Sequence, residues 1–233
     1  MSDSTITGTR NQAASATTWN GAATTLQVNQ QVFLPQTPDG TVFVAALNAA
    51  ANPSQAEIVL TSGGGAPTMA GLPAFAALPW VETANFHRNN LSITNISAVA
   101  TTPVLVEAVG PGIPGVTPVA LPDGTPVALG PGQGAQGATS SPTLQLLVQA
   151  TGPTTAVVGV IGGPSAGGTN GKVIAVSATA NTGPGGPPPP SGYYATTTAN
   201  EYSLTFSGDG QPVFVANLSF SATSTATVTL RAI

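Results

Sequence analysis

The stretch Tyr202-Ser203-Leu204-Thr205-Phe206, followed by Asp209-Gly210, Val213-Phe214-Val215 and Thr227-Val228-Thr229-Leu230, decides the fold class. Apolar or aromatic residues alternate with Ser and Thr in the first and last runs, the period-two pattern of a strand with one wet face. β-Branched and aromatic residues suit a pleated, half-buried surface. Asp-Gly supplies the positive backbone angles of a tight turn. Short strands joined by turns are the expectation.

Similar runs lie upstream at Leu26 to Leu34, Thr41 to Leu47, Glu57 to Leu60, Leu91 to Ile93, Val104 to Val106, Leu144 to Val148, Ala156 to Ile161 and Lys172 to Val176. The 28 glycines and 22 prolines are spread over the whole chain and leave little uninterrupted room for helices. The fold predicted is all-β, an antiparallel β-sandwich or jelly-roll-like architecture with long Gly/Pro-rich loops and an extended N-terminal arm. Residues 1–24 read as that flexible polar arm, and 25–233 as the β-sandwich region, with a division into two sub-domains near 110–137. Ser62 to Leu78 and Gly183 to Pro190 read as loops or contact arms, the latter an extended polyproline segment. Asp-Gly recurs at 39–40, 123–124 and 209–210 before an apolar run, and Val42 to Leu47 resembles Val213 to Leu218 closely enough to suggest two related hairpins.

Charge limits the function. Only 5% of the residues are charged, against about 25% in an ordinary soluble domain. Ser, Thr, Asn and Gln carry the surface polarity instead. Such a surface repels copies of itself weakly and gives up little ionic hydration when two faces meet. The four basic residues, Arg10, Arg88, Lys172 and Arg231, are scattered, so no segment can neutralise a run of phosphates, and no nucleic-acid partner is expected. Every apolar run is broken before it could span a bilayer, so membrane insertion is not expected. Met1 to Asn20 lacks the basic and apolar regions of a conventional signal peptide. Cysteine is absent, which removes disulfides and thiolate sites.

Motifs of chemistry are weak. Gly163-Pro164-Ser165-Ala166-Gly167 has the spacing of a nucleophile elbow, but no helix pattern and no histidine follow it. Gly132-Gln133-Gly134-Ala135-Gln136-Gly137 has dinucleotide-loop spacing yet leads into a strand pattern, and reads as a flexible loop. His87 is the single histidine, and the eight carboxylates are isolated along the chain, so neither a metal site nor an acid/base pair is expected. Asn90-Leu91-Ser92, Asn95-Ile96-Ser97 and Asn217-Leu218-Ser219 match glycosylation sequons but fall in or beside strands, and read as incidental.

These readings point away from an enzyme and toward a self-assembling structural subunit of an extracellular filament or surface appendage, with copies of itself as partner and no cofactor. Two alternatives are a viral capsid, decoration or tail protein, and a carbohydrate-binding adhesive module. All three place the chain outside the cell or on a particle surface. Subunit contacts are expected from Leu26, Val28, Val32 and Leu34, as a strand added to a neighbour's sheet, and from Pro187 and Pro188. Trp80, Tyr193 and Tyr194 are the candidate aromatic contacts for a glycan or a partner.

Overall fold

The computed structural model describes residues 15–19, 21–34, 41–62, 66–75, 78–85, 91–111, 113, 117–162, 172–176, 193–195, 202–207 and 212–233. Among them every regular element is a strand. The first nine are β1 (Ser15–Thr18), β2 (Thr24–Leu26), β3 (Gln30–Leu34), β4 (Thr41–Asn48), β5 (Ala56–Ser62), β6 (Thr68–Leu72), β7 (Trp80–Asn85), β8 (Leu91–Asn95) and β9 (Val104–Val109). They form two sheets, A in the order β1-β3-β8-β5-β6 and B in the order β2-β9-β4-β7. The remaining strands are β10 (Val119–Ala120), β11 (Val127–Leu129), β12 (Gly134–Gly137), β13 (Thr143–Ala150), β14 (Ala156–Ile161), β15 (Lys172–Val176), β16 (Tyr193–Ala195), β17 (Tyr202–Ser207), β18 (Val213–Asn217) and β19 (Ala226–Ala232). Sheet C runs β10-β12-β18-β14-β15-β16 and sheet D runs β11-β19-β13-β17.

The fold is therefore an antiparallel β-sandwich architecture, with β1·β3, β10·β12 and β15·β16 as its parallel pairs. Sheets A and B enclose one core, which includes Val32, Ile58 and Ile93 from A and Val42, Val44 and Val106 from B. Sheets C and D enclose a second, with Val158 and Val215 facing Leu144, Leu146 and Val228. Alternation makes this work, because every second residue of a strand points to the same face.

The second sandwich repeats the first strand for strand. Sheet A's order recurs in sheet C with β16 added, and sheet B's order recurs in sheet D. A buried asparagine marks the correspondence. Asn95 Nδ2 donates to the carbonyls of Leu26 and Thr102, both at 2.9 Å, while its Oδ1 accepts from the Ser97 backbone N–H at 3.0 Å. Asn217 Nδ2 donates in the same way to Leu129 and Ser224, at 3.1 and 2.7 Å, and its Oδ1 accepts from the Ser219 N–H at 3.1 Å. Each asparagine thereby ties its own strand to the opposite sheet and to the following turn. The hairpin resemblance of Val42 to Leu47 with Val213 to Leu218 is not this repeat. β4 corresponds to β13 and β18 to β8, and the similar run arises because β4 and β18 are both buried on two faces.

That double burial comes from a third apolar layer. Phe43, Ala45 and Val109 on the outer face of sheet B pack with Val157, Ile161, Val173, Phe214 and Ala216 on the outer face of sheet C. Strands covered on both sides read as continuous apolar runs, as Ala156 to Ile161 and Val213 to Ala216 do. A Cβ added to Gly159 would stand 2.7 Å from the Phe43 ring and 2.9 Å from Leu218 Cδ1. Gly159 is thus the slot that admits Phe43. Gly159→Val is expected to cost about 3 kcal/mol by overpacking, read by urea unfolding, and adding Phe43→Ala should recover part of the loss.

Three expectations are corrected. Leu26 to Leu34 is not one strand: β2 and β3 belong to opposite sheets, and the chain crosses between them through Asn29 at φ 64°. The arm does not extend to residue 24, because β1 pairs with β3 and Trp19 is buried in the first core. The segment Gly132 to Gly137 is no flexible loop. Gly132 makes a turn at φ 73°, and Gly134 to Gly137 form β12, where the missing Cβ at Gly134 leaves room for the Phe214 ring.

Candidate functional site

Among the described residues, Glu107 is the charged residue buried at the junction between the two sandwiches. On β9, Val104, Val106 and Ala108 point into the first core, so Glu107 and Val109 point the other way, where Val109 packs with sheet C. The second sandwich covers that face, and Glu107 is left only 6% exposed. Its carboxylate abuts Gly132, where any Cβ would collide with Oε1. The positive φ of Gly132 and its lack of a side chain both serve this contact. Among the described residues no hydrogen bond or ion pair reaches the Glu107 carboxylate. Burial alone raises its pKa from 4.5 to about 7.

Glu107 opens onto a crevice of about 300 Å³. Its walls are Gly21, Ala22 and Ala23 before β2, the turn Pro131-Gly132-Gln133 before β12, and Ser219 and Phe220 after β18. Two of the polar side chains are already engaged in holding the walls. Gln133 Oε1 accepts the Gly130 N–H at 2.8 Å, and Ser219 Oγ accepts the Val157 N–H at 2.9 Å. The described lining is mostly small residues around one buried acid, Glu107. Such a cleft is suited to binding a cation or a hydrogen-bond donor. Among the described residues that line it there is no second titratable group that could share acid/base work with Glu107.

The residues singled out from sequence lie elsewhere. Leu26, Val32 and Leu34 are buried in the core of their own sandwich, so they are filled contacts and not free ones; Val28 is half-buried. Trp80 packs partly buried against the same core, in register with Ala46. The backbones of Tyr193 and Tyr194 sit beside Val173 and Ile174 on an edge of sheet C. Pro187, Pro188, Ser165 and His87 lie outside the described residues. Glu107 was missed as a site. Its signal was present, a lone carboxylate in the otherwise apolar run Val104-Leu105-Val106-Glu107-Ala108-Val109.

No family model matches the chain, and no curated protein does. Among solved structures, a chain of the cryo-EM structure of Broad Bean Stain Virus is 11% identical at a TM-score of 0.25, covering 82% of this chain and 75% of that one. The CUB1-EGF-CUB2 domain of human MASP-1/3 is 9% identical at a TM-score of 0.22, covering 92% and 94%. Likenesses this low carry no functional argument. No helix among the described residues is long and apolar enough to cross a membrane.

Proposed function

We propose that the chain is a non-catalytic structural subunit that assembles with copies of itself into an extracellular filament or surface appendage. The carrying observation is the chemistry of the sheet edges. Exposed edge strands are usually blunted by charged residues, because their unpaired backbone groups can recruit another chain. Among the described residues the edges are β1 and β6, β2 and β7, β10 and β16, and β11 and β17. Glu82 on β7 is the one charged residue in all of these strands.

The outer faces support the same reading. Sheet A presents Gln31, Thr94 and Thr61 together with Phe33, 37% exposed, while Met69 on edge strand β6 is 69% exposed. Sheet D presents Gln145, Gln149, Ser203 and Thr205. A neutral polar surface loses little on being covered. Trp80, turned against its own core, weakens the glycan-platform alternative.

Negative-stain electron microscopy of the purified chain over a range of concentrations tests the proposal. Regular fibres are expected. Met69→Lys on β6 and Thr205→Lys on β17 are expected to shorten or abolish them, by placing a gatekeeper charge at an edge. A chain that stays monomeric at every concentration, or fibres indifferent to both substitutions, would overturn the edge-pairing reading.

A further inference from the structure

We propose that the crevice between the sandwiches binds a primary ammonium group carried on a short alkyl stem, with the Glu107 carboxylate as its counter-ion. A carboxylate removed from water is costly unless it is paired and hydrogen-bonded, and Glu107 has neither kind of partner among the described residues. It nevertheless opens onto a space at the lower end of the range that holds small ligands. The walls select the ligand. An anion would meet the carboxylate, and a hard divalent cation would find one acid where six to eight oxygens are wanted; no group of three His, Asp or Glu comes together among the described residues. An ammonium has three donors, two of which the Glu107 carboxylate oxygens can accept.

The stem has its own surface. Pro131 and Phe220 offer apolar contact, and the ring of Phe220 can add a cation–π attraction. Gly21, Ala22 and Ala23 contribute only small side chains to the described lining. Binding requires the ionised acid, so it competes with the proton that Glu107 holds in the empty protein. Affinity should therefore rise with pH through the neutral range. A free amine and a lysine side chain share this chemistry.

The test is an NMR titration of the purified chain with n-butylammonium chloride at about pH 8 and about pH 5.5, following the backbone amides of Gly132, Gln133 and Ala23. Saturable shifts are expected at the higher pH, with affinity at least about tenfold weaker at the lower. They should vanish in Glu107→Gln, which keeps the shape and removes the charge. Tetramethylammonium, which cannot donate, should bind at least about tenfold more weakly. Running Nα-acetyl-lysine methylamide beside n-butylammonium separates the two sources, since tighter binding of the amino-acid derivative points to a lysine side chain. No saturable shift at the higher pH, an unchanged response in Glu107→Gln, or equal binding of tetramethylammonium would overturn the proposal. Running the same titration on the Met69→Lys chain, whose edge charge opposes assembly and lies outside the crevice, separates these outcomes from filament formation.

Discussion

Asn217→Ala is expected to lower stability by about 3–4 kcal/mol, and Asn95→Ala by a similar amount. Each side chain is fully buried and joins two carbonyls on different parts of its sandwich to a backbone N–H on a third. A net hydrogen bond contributes only about 1 kcal/mol, but the groups left behind have no water to turn to, and that raises the loss. Asn→Asp should be no milder, since it replaces two donors with an acceptor facing two carbonyls. Ser219→Ala should cost less, about 1–2 kcal/mol, by freeing the Val157 N–H. Urea unfolding of these variants ranks the effects; equal, small losses across the set would remove the asparagines from their bracing role. Burial has a second consequence. Neither Asn95 nor Asn217 can accept a glycan in the folded chain, although both sit in sequons.

Stability should also fall as pH rises from about 4.5 to about 7. The Glu107 carboxyl titrates near 4.5 in the unfolded chain and near 7 in the folded one. Below the lower value both states hold the proton. Between the two the unfolded state releases it first, which favours unfolding, and above the upper value the full difference persists. The shift corresponds to a loss on the order of 3 kcal/mol. Glu82, raised by burial but more exposed, acts in the same direction with a smaller effect. Glu107→Gln should flatten most of this dependence and be more stable than the parent by about 2 kcal/mol at the alkaline end. Unfolding curves at several pH values decide it: a parent whose stability is flat or rises between about pH 5 and 8 would show that Glu107 is not held protonated by burial.

Both predictions rest on features that sequence reading had in view but could not interpret. Asn95-Ile96-Ser97 and Asn217-Leu218-Ser219 were visible as repeated tripeptides, yet a sequon says nothing about which carbonyls lie across the sandwich. Glu107 was visible as an isolated carboxylate in a strand. What neither motif reveals is the neighbour that covers it, because that neighbour lies on a different sheet far along the chain.

The sequence by itself determined that this chain is all-β. Alternation in runs such as Tyr202 to Phe206, turn residues at regular intervals, and glycine and proline throughout leave strands as the local solution, since side-chain period and backbone punctuation are local properties. It also determined a nearly uncharged surface. Tertiary structure decided which faces are wet. β4 and β13 are equivalent strands, and both turn Val or Leu inward at Val42, Val44, Leu144 and Leu146. Their outward residues differ: Phe43 is buried against the second sandwich, whereas Gln145 faces outward from sheet D and reaches Ser203 at 2.9 Å. The period-two pattern is the same in each strand, and only the layer stacked on it makes the outer position apolar or polar. The same stacking buries Glu107 and raises its pKa, because the desolvation of a charge is set by whatever chain lies over it in space.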